Sequence, residues 1–139
     1  MGGIRDHYIV VELSEAITAT ESHNFDFDLN GSLVNANREC LLAQIKIFPP
    51  KSKDYTINPQ FSPDGTNFWG WGIAVLGART IALTSADDTD TGLNRDDVVH
   101  IDPDENELAG DLDTVRVTIT NDESSGSATW KVRGVFYVR

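Results

Sequence analysis

The turn at residues 62–69, Ser-Pro-Asp-Gly-Thr-Asn-Phe-Trp, constrains the fold more than any other feature of the chain. Pro63 presets φ at the first turn position, Asp64 suits the second, and Gly65 can take the left-handed conformation that closes the loop. The residues before the turn alternate between two faces, with Tyr55, Ile57, Pro59 and Phe61 on one and Thr56, Asn58, Gln60 and Ser62 on the other. A period of two that leads into such a turn predicts a β-hairpin.

The same alternation recurs along most of the chain. It predicts further strands over residues 8–13, 25–29, 41–47, 68–76, 79–85, 98–101, 115–120 and 128–138. No stretch has the periodicity of a convincing amphipathic helix. Residues 1–139 are enough for one domain with one core. We therefore predict a single all-β domain, an antiparallel β-sandwich of eight or nine short strands, with the jelly roll as a candidate architecture.

Two of these strands have a less simple pattern. Alternation over residues 41–47 puts Leu41, Ala43, Ile45 and Ile47 on one face, and a helix over residues 35–44 is the rival interpretation. The prolines at positions 49 and 50 favour a strand that ends in a turn. The run at residues 8–13 is expected to bend before it continues to Ile17 and Ala19.

Charge and hydropathy exclude several classes of partner. The formal net charge is −11, from 22 acidic and 11 basic residues, which disfavours binding to nucleic acid or to anionic membranes. No segment is long and apolar enough to span a membrane. Cys40 is the single cysteine, so it cannot form an internal disulfide, and its place in the apolar run at residues 40–42 predicts a small buried hydrophobe.

No set of residues has the spacing of a catalytic site. The three histidines, His7, His23 and His100, are scattered, and neither a nucleophile elbow nor a phosphate-binding loop is present. Asp26 and Asp28 lie on one strand face about 6.6 Å apart, a spacing that a glycosidase can use. The favoured interpretation is that they mark the solvent face or protect an edge strand. We predict no enzymatic activity and no cofactor.

Two acidic loops leave calcium as an alternative to the absence of a cofactor. Alternating oxygen ligands of the kind that open an EF-hand loop occur twice, at Asp88, Asp90 and Gly92 and at Asp102, Asp104 and Asn106. Both loops fail the later positions of that motif, since Val99 and Glu107 stand where a glutamate and a glycine are required. A site on a β-sandwich need not follow the EF-hand rule.

The strand predicted over residues 68–76 is apolar or small on both faces. Trp69 and Trp71 could form an aromatic platform for a sugar, but Ile73 and Val75 continue the same face and favour the core. The closing strand adds Val135 and Tyr137 opposite its own core face. Because a two-layer sandwich buries only one face of each sheet, another chain is expected to cover the surplus. The predicted interface residues are Phe68, Trp69, Trp71, Leu76, Val135 and Tyr137.

Four features of the sequence carry a family resemblance. They are the Ser-Pro-Asp-Gly hairpin with an aromatic residue after it, the strand at residues 115–121, the turn of small residues and the aromatic-rich closing strand. Together they resemble small β-sandwich virion proteins of tailed phages and related viruses. The resemblance covers residues 41–139. It implies a non-enzymatic capsid decoration (cement) protein on the virion surface, bound to the major capsid protein and often a homotrimer. A carbohydrate-binding module, cellular or virion-borne, is the alternative.

Overall fold

Two antiparallel sheets contain every strand of the computed structural model, which describes residues 7–29, 40–70, 80–89, 92–102 and 113–138. The strands are β1 (His7–Thr18), β2 (Ser22–Asp28), β3 (Cys40–Phe48), β4 (Tyr55–Ser62), β5 (Trp69–Gly70), β6 (Ile81–Leu83), β7 (Val99–Ile101), β8 (Thr114–Asn121) and β9 (Ser127–Val138). The prediction of an all-β antiparallel sandwich is confirmed. β1 and β9 are the longest of the described strands, with 12 residues each.

The strand order identifies the sandwich as a jelly roll. Sheet A has the order β1-β9-β3-β7, and sheet B has the order β2-β8-β4-β5, with β6 also paired to β4. The first strand thus pairs with the last, the second with the eighth, the third with the seventh, and the fourth with the fifth and sixth. This nested pairing wraps a folded ribbon of strands around one core, which is the jelly-roll architecture.

The core lies between the two sheets and is filled by the inward residues of both. Phe25 and Phe27 of β2 are buried, whereas Asp26 and Asp28, which alternate with them, are exposed, as the alternation predicts. Ring contacts join the sheets at two points, with 5.4 Å between the centroids of Phe27 and Phe136 and 5.8 Å between those of Tyr55 and Trp130. The other fully buried large residues include Leu29, Ile45, Ile47, Ile57, Leu83, Ile101 and Ile119.

Because β3 contains a β-bulge, some of its side chains lie on the opposite face from the one predicted. The register against β9 shifts between Leu42 and Gln44, which lie opposite Phe136 and Val135. Leu42 is therefore buried with Ile45 and Ile47, and Ala43 is only half-buried. The prediction that Ala43 shares the face of Ile45 is wrong, because one extra residue in a strand exchanges its two faces. The rival helix over residues 35–44 is wrong for residues 40–44, which form part of strand β3. Residues 35–39 lie outside the described residues.

Several strand boundaries also differ from those predicted. β1 does not bend after residue 13, because its pairing with β9 continues without a shift to Thr18. β6 and β7 have three residues each, fewer than the runs at residues 79–85 and 98–101 indicate. Of the strand predicted over residues 68–76, Trp69 and Gly70 form β5, and residues 71–79 lie outside the described residues.

Candidate functional site

The outer face of sheet A carries an apolar cluster, the β1–β9 patch, made by Tyr8 and Val10 of β1 and by Val135 and Tyr137 of β9. Tyr8 lies opposite Tyr137 in the ladder, and Val10 lies opposite Val135. The two tyrosine rings are in contact, with centroids 5.2 Å apart. Tyr8 is 66% exposed and Val10 is 58% exposed. An outward sheet face is normally polar, so a contiguous apolar cluster there is typical of a contact surface.

Basic side chains flank the β1–β9 patch on the same face. Lys131 and Arg133 precede it along β9, and Lys46 of β3 lies opposite Arg133. The Arg133 Nε donates a hydrogen bond of 2.7 Å to Glu12, which lowers the pKa of that carboxyl group from its ordinary value. The Arg133 guanidinium also lies 4.8 Å from the centre of the Phe48 ring. Three of the 11 basic residues of an acidic chain are thus concentrated beside its apolar patch.

The predicted interface residues fall on different sheets. Val135 and Tyr137 lie together in the β1–β9 patch. Phe68 and Trp69 lie at the hairpin between β4 and β5, at the edge of sheet B. Trp71 and Leu76 lie outside the described residues. Tyr8 and Val10 were missed by sequence reasoning, although four successive apolar residues at positions 8–11 indicate a strand that is apolar on both faces.

Trp69 is exposed, contrary to the expectation that it belongs to the core. Its side chain is 50% exposed because β5 lies at the edge of sheet B. The indole is near Phe61, its partner in the ladder, with ring centroids 6.4 Å apart. Phe68 packs instead under Arg116, whose guanidinium carbon lies 3.7 Å from the ring centre. The hairpin therefore presents one aromatic side chain to solvent and uses the other to hold an arginine.

The turn before β5 confirms the predicted hairpin and is held by the carboxylate of Asp64. One Asp64 oxygen accepts hydrogen bonds from the backbone N–H groups of Thr66 and Asn67, each at 2.8 Å. The Ser62 hydroxyl accepts a bond of 2.8 Å from the backbone N–H of Gly65, whose φ is +77°. The backbone N–H groups of Asn67 and Thr66, together with the Asn67 side-chain amide, hold the pKa of Asp64 well below its usual range. The turn is thus rigidly positioned.

The outer face of sheet B is a polar lattice in which side chains bind one another across strands. Arg116 donates two hydrogen bonds to Asp26, at 2.7 and 3.0 Å, and this pairing raises the pKa of Arg116. Thr118 is bound to Asn24 at 2.7 Å and to the Gln60 amide at 2.9 Å. This arrangement fits the interpretation that Asp26 belongs to a structural solvent face.

The predicted calcium ligands are only partly within the described residues. Asp88, Gly92 and Asp102 are described, and Asp90, Asp104 and Asn106 lie outside. The Asp102 carboxylate accepts a hydrogen bond of 2.9 Å from the Gln44 amide. Within the described ranges, no three His, Cys, Asp or Glu residues are grouped so that they could hold a metal ion. Calcium binding stays a prediction.

Among the residues that the structure describes, no helix is long and apolar enough to cross a membrane.

Neither a protein-family model nor a curated protein matches the chain. Similar solved structures include PirA, at 12% identity and TM-score 0.44, covering 92% of this chain and 93% of that one. The VP2 subviral particle of infectious bursal disease virus is 13% identical with TM-score 0.44, covering 96% of this chain but 32% of VP2. The structure of the Gx strain of that virus is 11% identical with TM-score 0.41, covering 97% of this chain and 33% of that one. Likenesses this distant do not extend to function.

Proposed function

We propose that this protein is a non-enzymatic structural protein of a virion, a capsid decoration protein that binds the major capsid protein on the outer shell and stabilises the particle. The observation that carries the proposal is the β1–β9 patch, with Tyr8 66% exposed on a sheet face that should otherwise be polar. The jelly roll supports it by analogy, because viral capsid domains use this architecture, as do lectins.

The patch and its flanking cations define the surface that would fit it. Burial of an exposed apolar side chain such as Val10 contributes about 1.5–3 kcal/mol to binding before the costs of association. Lys46 and Lys131 beside the patch favour carboxylates on the partner, whereas Arg133 is already paired with Glu12. Charged groups at the rim of an interface mainly steer the encounter, so association should slow as salt is added. The matching shell surface is therefore apolar with an acidic border.

The absence of enzymatic activity is part of the proposal. Asp26, the carboxylate closest to a glycosidase geometry, is bound through both its oxygens to Arg116. Asp26→Asn should therefore affect stability, and neither the parent protein nor this variant should show enzymatic activity. A hydrolase screen in which the protein turns over a substrate, and in which this variant abolishes turnover, would overturn the proposal.

The decoration role is tested by adding purified protein to particles stripped of accessory proteins. Binding and a gain in particle stability are expected for the parent protein. Tyr8→Ser should lose binding, because it removes the most exposed member of the patch. Trp69→Ser is the matched control, since it removes an aromatic residue of similar exposure from the other sheet. Failure of the parent protein to bind, or loss of binding in the control alone, would contradict the role.

A carbohydrate-binding module is the second candidate, and exposed Trp69 is the observation that favours it. A half-exposed indole beside Phe61 offers a flat apolar face on which a sugar ring can stack. A glycan array would separate the two functions. Glycan binding that Trp69→Ser abolishes and Tyr8→Ser preserves would favour the module over the decoration protein.

A further inference from the structure

β1 has a long free edge. It is the outermost strand of sheet A, and β9 is its only partner within the described residues. The pairing with β9 runs from His7 opposite Val138 to Thr18 opposite Ser127 with no shift in register. β1 therefore contains no bulge that would twist its outer side away. A straight edge of 12 residues presents a row of backbone N–H and C=O groups to which another strand can bind.

The usual protection of sheet edges is missing from residues 8–11 of β1. Within the described residues, the other edge strands are short, with three residues in β7 and two in β5, or carry outward carboxylates, as β2 does with Asp26 and Asp28. β1 contains no Lys, Arg or Pro, the residues that most often block such pairing. Its two carboxylates, Glu12 and Glu15, lie beyond the apolar half at residues 8–11.

On both faces of that half of β1, apolar side chains are partly exposed to solvent. Tyr8 and Val10 are exposed on the outer face, at 66% and 58%. The inward residues Ile9, Val11 and Leu13 pack against the core but are only half-buried. Their counterparts on the central strand β9, such as Val132 and Phe136, are fully buried. The difference arises because the described residues place a strand on one side of β1 and none on the other.

We propose that β1 pairs antiparallel with β1 of a second copy across a two-fold axis, centred on Val10, so that the two sheets A join into one sheet. A second copy fits because it brings the same free edge, and a two-fold contact satisfies both edges at once. With this centre, Tyr8 lies opposite Glu12 of the partner subunit and Ile9 lies opposite Val11 of the partner subunit. A centre at Glu12 would instead oppose the two carboxylates, which is unfavourable.

This contact gives a dimer, in contrast to the trimer that the resemblance to virion proteins implies. It turns the outer faces of both sheets A in the same direction, so the two β1–β9 patches form one continuous apolar surface. The pairing does not depend on the decoration role. It is measured on purified protein without particles, so failure of one proposal is distinguishable from failure of the other.

The mass of the purified protein in solution, measured by light scattering, tests the pairing. The parent protein should have the mass of a dimer, and Val10→Lys should be monomeric, because it puts a charge at the centre of the contact. Val98→Lys is the matched control, since Val98 is 39% exposed and lies outside β1, and it should stay dimeric. Both variants add one positive charge to an acidic chain, so a difference between them does not come from net charge. A monomeric or trimeric parent, a dimeric Val10→Lys, or equal dissociation of both variants would overturn the proposal.

A cross-linking measurement covers the case in which Val10→Lys fails to fold. Opposite residues in an antiparallel pair have Cα atoms about 4.5–5.5 Å apart, which is within reach of a disulfide. Val10→Cys, in a chain that also carries Cys40→Ser, should therefore form a covalent dimer under mild oxidation. Val98→Cys in the same background should form far less. Absence of the Val10→Cys dimer, or equal yields from both variants, would also overturn the proposal.

Discussion

At the scale of single residues, the turn between β4 and β5 is tightly constrained at Gly65. Gly65 has φ +77°, and a Cβ there would lie 2.6 Å from the Oδ1 atom of Asp113. That oxygen accepts a hydrogen bond of 2.7 Å from the Thr114 hydroxyl, so it is not free to move away. The turn sequence predicted this glycine correctly, because only glycine takes such a φ without steric cost.

Gly65→Ala should reduce the free energy of unfolding by about 2–3 kcal/mol, through backbone strain and the contact with Asp113. Gly126→Ala is the control, since φ is +85° there but no atom lies within 4 Å of the added Cβ. It should cost about 1 kcal/mol, the strain alone. Urea unfolding of both variants measures the difference. Equal losses would mean that Asp113 does not restrict the turn.

Asp64 should make stability depend on pH in the acid range. Its pKa is lower in the folded protein than the value of about 3.9 expected in the unfolded chain. The stability that its carboxylate contributes is therefore complete above about pH 4 and is lost as the pH falls further toward the folded pKa. Asp64→Asn should be less stable than the parent at neutral pH, and the gap should close below about pH 4.

Thermal melts across a pH series check this prediction. Asp97→Asn, an exposed carboxylate between β6 and β7, controls for the change in net charge. A gap between the parent and Asp64→Asn that stays constant down to pH 2 would show that the carboxylate does not hold the turn.

At the scale of strands, the close approach of the two sheets depends on Gly134 in β9. A Cβ at this position would lie 2.7 Å from the Phe136 ring and 2.9 Å from the Phe27 ring. Phe27 comes from sheet B and Phe136 from sheet A, so the glycine makes room for an aromatic pair across the core. Local alternation predicts an inward residue at position 134 but cannot predict how close the opposite sheet lies.

Gly134→Ala should cost about 1–3 kcal/mol of stability, because overpacking a dense core forces its side chains from their preferred positions. Phe136→Leu should cost a comparable amount through lost volume. The double variant should cost less than the sum of the two, since the smaller side chain makes space for the added methyl group. Urea unfolding of all three gives the coupling. If the two losses of stability are additive, the strain in Gly134→Ala does not come from contact with Phe136.

Alternation within single strands predicted the inward residues of β2, β4, β8 and β9, because a half-buried strand repeats every two residues. It failed at β3, where the bulge at Leu42 exchanges the faces and leaves no sign in the residue pattern. The candidate site was half predicted for a similar reason. Val135 and Tyr137 were found because they oppose a clear core face. Tyr8 and Val10 were missed because the position of a strand at a sheet edge is set by long-range pairing.

At the scale of the whole molecule, charge is the main feature apart from the fold. The net charge of −11 causes self-repulsion, which salt screens over a Debye length of about 10 Å at 0.1 M. The melting temperature should therefore rise, or at least hold, as NaCl increases from low to molar concentration. A steady fall would contradict this.

Chelation at fixed ionic strength tests calcium separately from salt. If the loops that contain Asp88 and Asp102 bind calcium, a chelator should lower the melting temperature and added calcium should restore it. An unchanged melting temperature would remove calcium from consideration.

The nested order of strand pairing has a consequence for synthesis of the protein. The centre of sheet A is β9, the last strand along the chain, and both β1 and β3 pair with it. On the ribosome, β1 emerges well before Ser127–Val138, the only described strand with which it pairs. This sheet therefore cannot form until β9 has left the exit tunnel, and so many distant pairings predict slow folding. Until then the apolar residues at positions 8–11 are exposed, and they are the segment at which a chaperone would bind the nascent chain.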